Sequence, residues 1–118
     1  MADFGLFIGF GSPRPGREVA ASTVFGEAVA YWTGLQQSGE IERFETVLLE
    51  AHGGDLGGFF LLRGDAERLG RLRMAPEFQR VITRAGAVVD RLGIIPALLD
   101  AEAGRWVGEA NQVSADLL

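Results

Sequence analysis

The chain has 118 residues, 47% of them hydrophobic, and a formal net charge of -5. That is one domain's worth of sequence with a real core to bury, and its acidic balance argues against a nucleic-acid partner. All eleven positive charges are arginine and cysteine is absent, which excludes lysine Schiff bases, disulfides, thiolate nucleophiles and cysteine-ligated metals. The opening Met1-Ala2-Asp3-Phe4 lacks the basic region and apolar run of a signal peptide. No apolar run is long enough to span a bilayer. The expectation is a cytoplasmic protein with no membrane partner.

Phe4 to Phe10 reads as a strand apolar on both faces, bounded by Gly11-Ser12-Pro13. Gly5 and Gly9 fall on the same face as Phe7, where a helix or ligand has room to approach. Ser12 to Gly16, with two prolines, blocks helix formation. From there to about Ser38, Ala21, Phe25, Ala28, Trp32 and Leu35 recur at steps of four, three, four and three, the stripe of an amphipathic helix. Gly39 suits the position just past its end.

Phe44 to His52 is expected as a strand, followed by the glycine-rich turn Gly53 to Gly58 and a second strand, Phe59 to Arg63. Asp65 is a predicted N-cap for a short helix, Ala66 to Met74. Pro76 then opens a new helix, where its missing N–H costs little. Phe78, Ile82, Ala85, Val89 and Leu92 give that helix its stripe, and Gly93 is its expected stop. Ile94 to Leu99 is the last strand, and Pro96 within it points to a sheet edge. The tail, 101–118, is expected to be loosely held, with Arg105-Trp106-Val107 as a short strand.

The order β-α-β-β-α-β is the ferredoxin-like arrangement, an α+β fold with a four-stranded antiparallel sheet and two helices on one face. The expected organisation is a single such domain over 1–118 with its core at about 4–100. The other sheet face is left bare, yet at least three strands are apolar on both sides. A second copy of the chain, packed sheet to sheet about a two-fold axis, is the simplest cover.

The segment Met74-Ala75-Pro76-Glu77-Phe78-Gln79, opening the second long helix before an apolar stripe and a closing strand, resembles helix openings in the dimeric α+β-barrel families. The resemblance spans roughly residues 4 to 100. It implies a ferredoxin-like chain whose sheets pair into a barrel. Those families include antibiotic-biosynthesis-type and haem-degrading monooxygenases, and muconolactone-isomerase-like and YciI-like proteins. A fold shared so widely does not choose a function.

Glu50 and His52 are expected two residues apart on one strand face, roughly 7 Å, as an acid–base pair. The alternative is a half-exposed histidine at a strand end. Phe44 and Leu48 on the same face would form an apolar wall. Trp32 is a further ligand-binding candidate, although its place on the helix stripe also fits a core residue. One histidine with Glu50 or Asp55 is too few ligands for zinc or iron, so no metal and no cofactor is expected. Two functions remain open. One is a homodimer binding a small hydrophobic molecule without catalysis. The other is a cofactor-independent monooxygenase- or isomerase-like enzyme acting on an aromatic or polyketide-like compound.

Overall fold

In the computed structural model, which describes residues 3–117, the chain runs β1 (Phe4–Phe10), α1 (Glu18–Ser38), β2 (Arg43–Leu48), β3 (Gly58–Gly64), α2 (Ala66–Leu72), α3 (Pro76–Val88), β4 (Gly93–Leu98) and α4 (Asp100–Val113). The strands form one sheet in the order β2-β3-β1-β4, with every neighbouring pair antiparallel. This is the expected ferredoxin-like α+β fold, with α2 and α4 added to the two long helices. β4, carrying Pro96, lies at the sheet edge as its sequence predicts.

Alternation along the strands decides the core. Leu6 and Ile8 of β1 and Phe60 and Leu62 of β3 face the helices and are fully or almost fully buried. They pack with Ala28 and Trp32 of α1, and with Phe78 and Val81 of α3. Each of the leucines, isoleucine, valine and phenylalanines among them contributes roughly 1.5–3 kcal/mol by leaving water. Phe7, Phe59 and Leu61 occupy the opposite, uncovered face, where the Phe7 and Phe59 rings meet at 4.9 Å. The space over Gly9 on that face is filled by the Phe7 ring itself and by Leu56, and the space over Gly5 by Leu99 and Leu61. Side chains of the chain itself, not a helix, use those openings.

Local signals set several boundaries. Gly39 closes α1 in the left-handed conformation, φ 83°, and its N–H reaches the last carbonyls of the helix. Asp65 caps α2 by accepting a hydrogen bond from Arg68 N–H at 3.1 Å. The break before Pro76 falls where expected, between Leu72 and Pro76.

Three expectations need correction. β2 ends at Leu48, so Glu50 and His52 are not on a strand and share no strand face. The register sets Arg43 opposite Arg63 and Leu48 opposite Gly58. Continued, it would place His52 opposite Gly54 with Gly53 alone to turn the chain, one residue where the shortest common hairpin needs two. The chain therefore leaves the ladder early.

The second long helix stops at Val88, not Leu92. The connector after β1 competes for its last residues. Arg14 N–H donates to Val88 O, Asp90 N–H to Ser12 O and Gly11 N–H to Asp90 O, all within 2.8–2.9 Å. Val89 is drawn into an extended conformation as a bridge partner of Pro13.

The tail is not loosely held with a short strand at Arg105-Trp106-Val107; Asp100–Val113 is a helix. Arg105 pairs with Glu102 and Glu109, one turn away on either side, in support of α4. A short 3₁₀ turn follows at Ala115–Leu117, and Leu118 lies outside the described residues.

Candidate functional site

Between the two long helices and the sheet lies a partly open cavity of about 500 Å³. Three layers of sequence build it. Ala21, Val24, Phe25, Ala28 and Trp32 come from α1, and Val81, Ile82 and Ala85 from α3. Ile8, Phe10, Phe60 and Leu48 come from the sheet. The opening exists because the facing positions of the helices include three alanines, Ala21, Ala28 and Ala85, while the sheet supplies aromatics. Phe25 stands 5.3 Å from Phe60 and 6.4 Å edge-on from Phe10. Trp32 closes the aromatic row, 5.8 Å from Phe60 and 5.7 Å from Phe78.

Polar groups are few. Ser12, Ser22 and Glu18, all exposed, lie where α1 begins. Within the lining, Trp32 is fully buried, and its Nε1–H has no hydrogen-bond partner among the described residues. Leaving such a donor unsatisfied costs about 1–3 kcal/mol. Nearby, burial pushes the Tyr31 hydroxyl pKa above its ordinary value, with Glu77 and Glu40 adding to the shift.

The structure separates the site residues expected from sequence. Trp32 and Leu48 both line the cavity. Phe44 is partly buried and packs against the core without lining the cavity, because it sits further along β2. Glu50 and His52 are exposed in the loop after β2 and are not part of the lining.

His52 works within its own loop. Its Nδ1 accepts a hydrogen bond from Gly54 N–H at 3.2 Å, and its Nε2 lies 2.7 Å from Leu56 O. That pair of contacts selects the tautomer with hydrogen on Nε2. Its ring packs over Gly54, where a Cβ would meet it at 2.7 Å. Asp55 faces Arg91 at 3.6 Å. Among the described residues no three of histidine, aspartate and glutamate gather as a metal site. No described helix is long and apolar enough to cross a membrane.

Sequence reasoning missed Ala28, Ala85 and Phe60 as cavity walls. The signal was present in the small residues on both helix stripes, but only the helix positions over the sheet turn them into an opening.

No family model matches the chain, and no curated protein sequence matches it. Solved structures do. A dimeric ferredoxin-like protein of unknown function from a Jannaschia species is 19% identical, with a TM-score of 0.62, covering 83% of this chain and 99% of that one. A dimeric protein of unknown function and ferredoxin-like fold from Bacteroides fragilis is 12% identical, with a TM-score of 0.59, covering 82% and 97%. A proposed antibiotic biosynthesis monooxygenase from Chloroflexus aurantiacus is 13% identical, with a TM-score of 0.53, covering 83% and 94%. Identities this low speak for the fold alone, and the fold this chain shares with them is the ferredoxin-like fold.

Proposed function

We propose that the protein is a homodimer that binds a small hydrophobic, aromatic molecule in the cavity between α1, α3 and the sheet. The observation that carries the reading is the cavity itself. Its 500 Å³ suits a small organic ligand, and its walls are apolar and rich in aromatic rings. A flat ligand would stack among Phe10, Phe25 and Phe60, with Trp32 behind them. Leu48 forms part of the wall. Binding without catalysis fits the lining better than acid–base chemistry, because among the described residues Glu18 is its one ionisable side chain.

The dimer reading rests on the uncovered sheet face. Phe7, Phe59 and Leu61 form an apolar patch there, and Ile95 beside them is 60% exposed. Leu61→Asp should split the dimer in sedimentation.

The binding test uses Trp106→Phe, which leaves Trp32 as the one tryptophan. Titration with 1-naphthol and 1,4-naphthoquinone should quench its emission saturably. Absence of saturable quenching to millimolar concentration would overturn the binding reading. Conversion of either compound, seen by mass spectrometry, would replace it with an enzymatic one.

A further inference from the structure

α4 carries an apolar stripe whose large side chains its own chain leaves exposed, with Ala103 and Ala110 half-buried. Ala103, Trp106, Val107, Ala110 and Val113 recur at helical spacing, yet the helix contains no buried residue. Trp106 is 57% exposed, Val107 53% and Val113 78%. The polar side is self-contained, since Arg105 binds Glu102 and Glu109. Beside the exposed amides Asn111 and Gln112, what the helix offers a partner is this apolar stripe.

Its direction is held. Asp100 adopts a left-handed φ of 49° at the turn out of β4, and its carboxylate accepts a hydrogen bond from Arg63 Nη1 at 3.2 Å. Arg63 lies on the uncovered sheet face and also binds Glu45 at 2.8 Å. Leu99, just before the turn, packs over Gly5 on that same face. The arm thus leaves from the margin of the face that needs a cover.

The area supports one occupant. The chain exposes 7483 Å², against roughly 6,200 Å² for a compact monomer of its mass. The excess, on the order of 1,200 Å², exceeds the ~800 Å² that each partner contributes to a standard stable interface. The radius of gyration, 16.3 Å, likewise exceeds the roughly 13–14 Å of a compact chain this long.

We propose that α4 is an exchange arm, whose stripe of Trp106, Val107, Ala110 and Val113 packs on a second copy of this chain, flanking two sheet faces that meet about a two-fold axis. The inference rests on the homodimer reading and adds to it a specific, reciprocal contact. In an isologous pair both arms are covered at once, so the exposed apolar area falls twice over.

The test compares the full-length chain with Trp106→Glu in sedimentation, with Leu61→Asp as the variant of the sheet face. Circular dichroism confirms that each is folded. The expected result is a full-length dimer whose dissociation constant rises about tenfold or more in Trp106→Glu, as for a buried tryptophan anchor. Emission from Trp106, isolated by subtracting the Trp106→Phe signal, should shift to the red as the dimer is diluted apart. A full-length chain that stays monomeric at tens of micromolar would overturn the dimer and the arm together. A dimer whose dissociation constant is unchanged by Trp106→Glu would overturn the arm alone. So would blue-shifted Trp106 emission that persists in the monomeric Leu61→Asp protein, which would place the helix back on its own sheet.

Discussion

Arg84 on α3 donates from Nε to one carboxylate oxygen of Glu27 on α1 at 2.8 Å, and from Nη2 to the other at 2.9 Å. This two-point contact ties together the helices that roof the cavity. The hydrogen bond from Arg84 holds the Glu27 carboxyl below its ordinary value; desolvation opposes it, and the positive charges of Arg84 and Arg80 act with the hydrogen bond. A depressed folded-state pKa means stability that is present above the unfolded carboxylate value and lost as pH falls through the folded one. Glu27→Gln should therefore lower the thermal midpoint at pH 7 and converge with the parent in the acid range below about pH 4. Calorimetry at pH 7, 5 and 3 measures the gap, and a gap of equal size throughout would show that the charge contributes nothing.

Gly58 opens β3 with no room for a side chain. A Cβ there would lie 2.5 Å from the carbonyl oxygen of Val47 in the adjacent strand, and 3.0 Å from Leu48 and Phe10. The first neighbour is backbone and cannot rotate away. Gly58→Ala should cost about 1–3 kcal/mol, the usual penalty for forcing atoms into packed space. Urea denaturation checks this, with an unchanged midpoint as the contrary result.

His52 holds the loop between β2 and β3 through two hydrogen bonds. Each net intramolecular bond of this kind contributes about 0.5–1.5 kcal/mol, and the loop is exposed. His52→Ala should therefore lower stability by about 1 kcal/mol. Leu48, Leu49 and Gly57 at the ends of this loop line the cavity, so ligand affinity should fall less than about tenfold. Loss of binding with stability untouched would instead give His52 a direct place in the site.

Ala85 leaves part of the cavity open on the α3 side. Ala85→Leu should fill that space, keeping stability or raising it by about 0.5–2 kcal/mol as cavity-filling substitutions do. Quenching of Trp32 by 1-naphthol should then weaken about tenfold or more. Unaltered affinity in a stable Ala85→Leu protein would place the ligand elsewhere.

Residues near in sequence were enough for much of the fold. The step of three and four from Ala21 to Leu35 determined α1, because side-chain direction along a helix depends on its own turns. Asp65 and Pro76 determined where helices start, because the cap and the missing N–H act within one turn. The apolar runs of β1 and β3 determined that both sheet faces would be greasy, and with the element order they determined the ferredoxin-like arrangement. Leu48 and Trp32, which line the cavity, stood out for the same reason, since each carries a large apolar surface on a definable face.

Where elements stop was a different matter. The end of β2 depends on its pairing with β3, and the end of α3 on hydrogen bonds from the connector after β1, partners about ten and about seventy-five residues away. Glu50 and His52 look like neighbours on a strand until that register turns them out into a loop. The tail hid its helix because its stripe lacks a covering surface within the chain, and the cavity stayed hidden because three alanines read alike whether packed or open. Periodicity is a property of consecutive residues and so belongs to the sequence. Register, termination and the space left between packed elements arise from contacts between distant residues, and the tertiary structure alone decided them.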